Sequence, residues 1–356
     1  MPLRIVTGAT GFLGSYLLFE LAQAWPEDPL RGLYRREARI AHASRVFAIR
    51  GRDEGWPQEK IERTWSRIEW VEADVLDLPA LPEALQGAGE IYHCAARVSY
   101  AREDDDAVIH TNWKGTEFML DTALQIDGLQ RFVHISSTAT LPSRSEGPID
   151  ESFGRLPERF DTAYALGKFR ADMEAWRAGA EGLPLVVVNP AVILGPWVPG
   201  EGSSAVVETV ARGLPYYPSG CNAFVDVRDV ARFTRVLAAD PQHLQQRFLV
   251  AGNNVDYKTL LQSIAGAIGV KPPQKQLSPF MARQVARLDG LKSALGGGEQ
   301  QITPEIAAVT ARRRTYDSSK ARQATGLTFT PLDETLAWIA RWRGFGFSNI
   351  KRDQFY

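Results

Sequence analysis

The sequence predicts an α/β chain, a doubly wound parallel sheet with a smaller C-terminal lobe, and three observations carry that expectation. Short apolar runs recur through the first half, helical stretches lie between them, and the first run leads straight into a glycine-spaced turn. At 356 residues the chain is long enough for one large domain or a domain with a small lobe.

The strand-like runs are Arg4 to Thr7, Leu30 to Tyr34, Ile68 to Glu72, Ile91 to Cys94, Arg131 to Ile135 and Leu185 to Val188. Each is short and rich in Val, Ile or aromatics, as strands covered on both faces are. Periodic segments separate them: Gly14 to Trp25, Leu81 to Gln86, Asn112 to Gln125 and Tyr164 to Ala178. A sheet built this way binds its ligand at the carboxyl ends of the strands. The stretch Glu37 to Arg67 is long for a strand-to-strand connection, and its Trp56-Pro57, Trp65 and many charges predict helices over the sheet. The acidic run Glu103 to Asp106 reads as a solvated loop or a helix start. After Gly195 the alternation breaks down in Gly and Pro clusters. A helix is expected from Thr259 to Ala267, and a helix followed by a loop from Leu277 to Glu299.

Charged residues at 23% and a net charge of -1 give no field of one sign that would favour nucleic acid or a membrane surface, so small-molecule partners are expected. Cys94 and Cys221 stand far apart in no metal or redox spacing, which suits a reducing, cytoplasmic setting. The five histidines lack H-E-x-x-H spacing, so no metal is expected. Glycines interrupt the apolar run of the first twenty residues, which therefore do not read as a leader, and no later run reaches the ~18 apolar residues of a spanning helix.

Thr7-Gly8-Ala9-Thr10-Gly11-Phe12-Leu13-Gly14 follows a strand and opens a helix. Its glycines fall where a backbone must turn tightly and approach a pyrophosphate at a helix N-terminus, although the spacing is G-x-x-G-x-x-G. The candidate seat of a nicotinamide dinucleotide is thus Gly8, Thr10, Gly11, Phe12, Leu13 and Gly14. Where a chain that prefers NAD(H) usually carries an acid, this one has Tyr34-Arg35-Arg36. A guanidinium suits a 2′-phosphate, which favours NADP(H) with Arg35 as the contact and leaves NAD(H) open. Residues 1–195 are expected to form the dinucleotide-binding domain with part of 221–250, residues 196–220 and 251–345 the substrate lobe, and 346–356 a tail.

Tyr164 and Lys168 stand four residues apart, on one face of a helix. A free phenol titrates near ~10, and a fixed positive charge beside it stabilises the phenolate, making it a usable acid-base group near neutrality. Arg131 to Ile135 ends in Ser136-Ser137-Thr138, placing hydroxyls at the carboxyl edge of the sheet, where one could polarise a carbonyl.

These motifs, with Asp74-Val75, His93-Cys94-Ala95-Ala96, Asn112 with Gly115-Thr116, and Asn189-Pro190 through Gly195-Pro196, stand in one order. In that order the chain resembles, along essentially its whole length, the extended short-chain dehydrogenase/reductases, or NAD-dependent epimerase/dehydratases. The resemblance implies that Asp74 and Val75 meet the adenine, that Ala95 and Ala96 line the cofactor, and that Pro190 to Val192 flank the nicotinamide by main chain. It implies that Lys168 also holds the nicotinamide ribose and that Ser137 is the catalytic hydroxyl with Thr138 as the alternative register; His93, on its own residue type and place, reads as a satisfied strand histidine rather than a ligand. It also implies a homodimer through Asn112 to Gln125 and Tyr164 to Ala178.

Where sugar-nucleotide enzymes of the family carry Tyr-Gly after the serine turn, this chain has Ala139-Thr140-Leu141-Pro142. Asn189 to Pro196, Phe224 to Val230 and Tyr316 to Lys320 instead resemble the dihydroflavonol reductase and 3β-hydroxysteroid dehydrogenase branch. The expected activity is NADP(H)-dependent reduction of a ketone or aldehyde, or the reverse oxidation, on a small apolar substrate. Trp197, Tyr216, Tyr217 and Phe280 are candidate pocket walls or core. Three alternatives stay open: a nucleotide-sugar epimerase or dehydratase, an acyl-thioester reductase, and a non-catalytic dinucleotide sensor.

Overall fold

The structure, a computed structural model, describes residues 1–99, 101–142, 147–152, 161–198, 202, 204–277 and 304–343. The helix and loop expected after Leu277, Phe280 among them, lie outside the described residues, as does the tail. The chain divides into two compact units.

Unit 1 comprises Met1–Ala191, Arg228–Ala251 and Tyr316–Thr328. Its centre is a seven-stranded sheet of β1 (Leu3–Thr7), β2 (Leu30–Tyr34), β3 (Ile68–Glu72), β4 (Ala88–His93), β5 (Arg131–Ile135), β6 (Leu185–Pro190) and β10 (Gln246–Val250). The strands lie in the order β10-β6-β5-β4-β1-β2-β3, and every pairing is parallel. This is the Rossmann arrangement: the connections reverse direction at β1 and β4, and the crevice at that switch point is where such sheets take their ligands. The strands are apolar on both faces because helices cover both.

Helices α1 (Phe12–Ala24), α2 (Ile40–Asp53), α3 (Gln58–Trp65), α4 (Leu81–Ala84), α5 (Asp105–Ala123), α6 (Ala163–Ala180) and most of α8 (Val227–Ala239) belong to this unit. Between β2 and β3 the predicted helices are α2 and α3. Phe19, Phe47, Trp56, Trp65 and Trp70 form a chain of ring contacts there, with centroids 4.9–6.5 Å apart. The bounds of two elements differ from expectation. The segment from Leu81 shrinks to the single turn α4, which carries Pro82 in its first turn. The acidic run forms a 3-10 turn and the first turn of α5, so that helix starts seven residues before Asn112, with Asp105 and Asp106 against its positive end. The core behind the sheet packs Ile5, Leu33, Leu81, Ile91, Met119, Leu120, Phe132 and Leu185.

The outer edge at β10 is closed by side chains. Glu151 accepts the Leu249 N–H at 2.8 Å and the Ser318 hydroxyl accepts the Ala251 N–H at 3.0 Å.

Unit 2 comprises Val192–Val227, Gly252–Thr315 and Phe329–Tyr356. Within it β9 (Cys221–Asp226) lies between β7 (Val192–Leu194), to which it is parallel, and β11 (Asn253–Asp256), to which it is antiparallel. Helix α9 (Tyr257–Ile268) opens on Asp256, whose carboxylate accepts the Thr259 N–H at 2.8 Å. It buries Leu260, Leu261, Ile264 and Ala265 against Leu194, Val207, Val210, Phe224, Leu336 and Ile339. Trp197 is buried in this unit, and Tyr216 and Tyr217 are half-buried on the short strand β8. No helix among the described residues is long and apolar enough to cross a membrane.

Candidate active site

The turn after β1 is closed by contacts that exclude side chains. Gly8 has φ +62°, and a Cβ there would lie 2.8 Å from the Ala95 backbone. A Cβ on Gly14 would lie 2.1 Å from the Gly8 carbonyl oxygen. The Gly11 N–H donates to the same oxygen at 2.9 Å, which fixes the turn. Gly11 is the N-cap of α1, with no side-chain cap and no acid in the first turn, so the first N–H groups of that helix are left to an anion. Thr10, Phe12 and Leu13 lie in this turn and the helix start.

The Thr7 hydroxyl holds the turn to β4. It accepts the Ala95 N–H at 3.1 Å and lies 2.9 Å from His93 Nδ1, while His93 Nε2 lies 3.1 Å from the Thr116 hydroxyl on α5. His93 is thus a satisfied histidine, and burial holds its pKa well below the usual value. Ala96 follows Ala95 into a loop that Asn112 fixes, its Oδ1 accepting the Arg97 N–H at 2.8 Å and its Nδ2 donating to the Arg97 carbonyl at 3.0 Å.

At the end of β2 the Arg35 side chain is about half exposed, with Nη1 3.8 Å from Asp74 Oδ2. The other carboxylate oxygen of Asp74 accepts the Leu76 N–H at 3.0 Å, so this residue also builds its turn. Val75 lies against Gly115 of α5.

Tyr164 and Lys168 occupy the first two turns of α6, which opens on Thr162, whose hydroxyl accepts the Ala165 N–H at 3.1 Å. Lys168 is buried and donates to the Ile135 carbonyl at 2.8 Å, so its ammonium sits at the carboxyl end of β5. Burial pushes Lys168 down to about 8, with Asp172 drawing it partly back up, and most of it remains charged at neutral pH. Ser137, half-buried, begins the 3-10 turn Thr138–Thr140 and its hydroxyl accepts the Ala139 N–H at 3.1 Å. Thr138 is buried, so Ser137 is the more accessible of the two hydroxyls.

Asn189 anchors this turn to β6. Its Nδ2 donates to the Ser136 hydroxyl at 2.9 Å, the Ser137 carbonyl at 2.9 Å and the Thr140 hydroxyl at 3.1 Å. Pro190 ends β6, and Val192 begins β7 in the other unit. Sequence reasoning did not anticipate a group beneath the site: the buried Asp172 and His134 with the partly buried Arg247. Its signal was available in part, since Asp172 follows Lys168 by four residues as Lys168 follows Tyr164.

The glycine turn, the uncapped start of α1 and the switch point at β1 and β4 together fit a dinucleotide: backbone for the pyrophosphate, a strand end for each nucleoside half. The sequence model of the NAD dependent epimerase/dehydratase family matches residues 4–252. Cinnamoyl-CoA reductase 1 of Oryza sativa is 31% identical, the match covering 73% of this chain and 74% of that one. Sterol demethylase protein B of Methylococcus capsulatus is 26% identical, over 95% of this chain and 97% of its own. Among solved structures, that of gox2253 superposes with a TM-score of 0.76 at 25% identity, covering 98% of this chain and 99% of that one. The protein therefore belongs to the NAD dependent epimerase/dehydratase family, the extended short-chain dehydrogenase/reductases, and is a nicotinamide-dinucleotide enzyme of that family.

Proposed function

We propose that this enzyme is an NADP(H)-dependent carbonyl reductase acting on a small apolar ketone or aldehyde. The observation that carries the reading is the convergence at the end of β5. The Lys168 ammonium is bound to the Ile135 carbonyl, and Ser137 opens the turn two residues further on. Tyr164 stands one helical turn before Lys168.

When bound, the nicotinamide supplies hydride transfer. The chain supplies the rest. Ser137 donates its hydroxyl proton toward the carbonyl oxygen and stabilises the charge that develops there. Tyr164 gives its phenolic proton to that oxygen, and the charge on Lys168 stabilises the phenolate left behind. Asn189 keeps the serine turn in place through the three acceptors that share its side-chain NH2.

Two features support reduction over sugar-nucleotide chemistry. Thr140 stands in the stretch that replaces the Tyr-Gly of sugar-nucleotide enzymes, and its hydroxyl is spent on the Ser137 carbonyl at 3.0 Å. The plant relative is named a reductase. Because that name is of a thioester reductase, acyl thioesters form a second substrate class for the same site. The preference for NADP(H) is supported by Arg35, whose exposed guanidinium exchanges a 3.8 Å contact with Asp74 for a 2′-phosphate.

The test is a panel of ketones, aldehydes, acyl thioesters and sugar nucleotides assayed with NADPH and with NADH. Consumption of NADPH is expected on a carbonyl substrate, and Tyr164→Phe should lower turnover by roughly 10²- to 10⁴-fold. The reading is overturned if the panel yields no net NADPH consumption while a sugar nucleotide is epimerised or dehydrated.

A further inference from the structure

A charged group lies beneath the site, buried at the back of α6 and β5. Asp172 is 1% exposed and follows Lys168 by one helical turn. His134 Nε2 lies 3.2 Å from its Oδ1, and Arg247 Nη2 donates to its Oδ2 at 2.9 Å. The Ser136 hydroxyl, which accepts from Asn189, lies near enough to Asp172 to help hold its carboxyl pKa down.

We propose that Asp172, braced by His134 and Arg247, is a positioning residue that fixes both the charge of Lys168 and the placement of the turn carrying Ser137. Three physical facts carry this. First, a carboxylate taken out of water is costly unless paired and bonded, and Asp172 has an imidazole, a guanidinium and a hydroxyl around it. Second, the tautomer is determined. Burial holds His134 below its usual pKa and neutral, so its proton must sit on Nε2 to reach the carboxylate, and Nδ1 is left bare, as its lack of a hydrogen-bond partner shows. Third, the charges alternate along the group: Arg247 is bound to Asp172, and Asp172 follows Lys168 by one helical turn.

The groups that bear on Lys168 are Asp172 on its own helix, His134 on β5, and His93 and Cys94 at the end of β4, with Arg247 on β10 acting through Asp172, while Tyr164 stands one helical turn before it. Both histidines are held neutral by burial, and burial pushes the Cys94 thiol up to about 12, so it too is neutral near pH 7. Asp172 is therefore the negative charge that offsets the desolvation of Lys168. Burial alone would raise the Asp172 pKa, but its bonds to His134, Arg247 and Ser136 prevail and hold it below the usual carboxylate value.

The catalytic meaning of this arrangement rests on the reading of Tyr164 and Lys168 given above, so the test has one arm that needs no substrate. In protein labelled with ¹³C at lysine Cε, the Lys168 resonance, assigned by its absence in Lys168→Arg, should titrate near 8. Asp172→Asn removes the offsetting charge and should lower that midpoint by about one pH unit or more. Arg247→Gln, at a partly solvated site on the edge strand, leaves Asp172 less neutralised and should raise it.

In the second arm, the alkaline limb of carbonyl turnover should move the same way in each variant, while Asp172→Glu keeps the limb and lowers kcat. The inference is overturned if the Lys168 midpoint is unmoved in both variants, or moves in the same direction in both. If the midpoints move in opposite directions but Tyr164→Phe retains full turnover, the charge network stands and the catalytic reading fails. Should Asp172→Asn not fold, the upward shift in Arg247→Gln decides alone.

Discussion

At the scale of single residues, the two ends of the nucleotide turn are set by atoms that leave no room for a methyl group. A Cβ on Gly14 would have to displace the Gly8 carbonyl, which also receives the Gly11 N–H. Gly14→Ala is therefore expected to weaken binding of the nicotinamide dinucleotide at least about tenfold and to cost about 1–3 kcal/mol of stability. Titration of cofactor fluorescence and urea unfolding check the two separately, and wild-type affinity in this variant would refute the geometry. These glycines, Tyr164 and Lys168 were legible in the sequence because local geometry dictates them: a turn needs glycine, and a shared helix face needs a spacing of four. Asp172, His134 and Arg247 were not, because three elements far apart in sequence bring them together. Asp74 was read only as an adenine contact, and its approach to Arg35 is likewise a product of the fold.

At the scale of elements, α5 and α6 approach closely at Gly167. A Cβ on Gly167 would lie 3.1 Å from the Asn112 Cβ and 3.2 Å from the Ile109 Cα. Gly167→Val should thus destabilise the protein by about 1–3 kcal/mol by forcing the helices apart, and Gly167→Ala by much less, since helix propensity partly offsets the contact. An unchanged urea midpoint for the valine variant would contradict this packing. The strands were legible from their apolar runs because a parallel sheet buries both faces. The start of α5 was legible only as one of two readings, because Glu103 to Asp106 carry no apolar periodicity and their charge at the helix's positive end is the one local signal. β10 has an apolar half, Phe248 to Val250, that short-range patterning alone does not place at the end of the sheet.

At the scale of the whole molecule, two histidines buried as neutral rings make stability depend on pH. His93 and His134 have folded pKa values below the unfolded value of ~6.5, so below that pH the unfolded chain binds protons that the folded one does not. Their contribution is fully present above ~6.5 and is lost as the pH falls, by up to about 1.4 kcal/mol per pH unit for each. Urea unfolding between pH 7 and pH 5 should show this slope, and His134→Gln should remove about half of it. A slope unchanged by that substitution would mean the ring is protonated in the native state.

The closed edge at β10 has a meaning beyond this molecule's own fold. An open strand is a template on which another chain can add itself, and polymers grow from such templates. Here a carboxylate from Glu151 and a hydroxyl from Ser318 occupy two of the donors a newcomer would need. Glu151 is itself held above its usual pKa by burial, so acid that neutralises it weakens this guard at the same time as it charges the histidines. Acidification thus loosens the interior and unguards the margin together, which makes self-association the natural companion of acid unfolding.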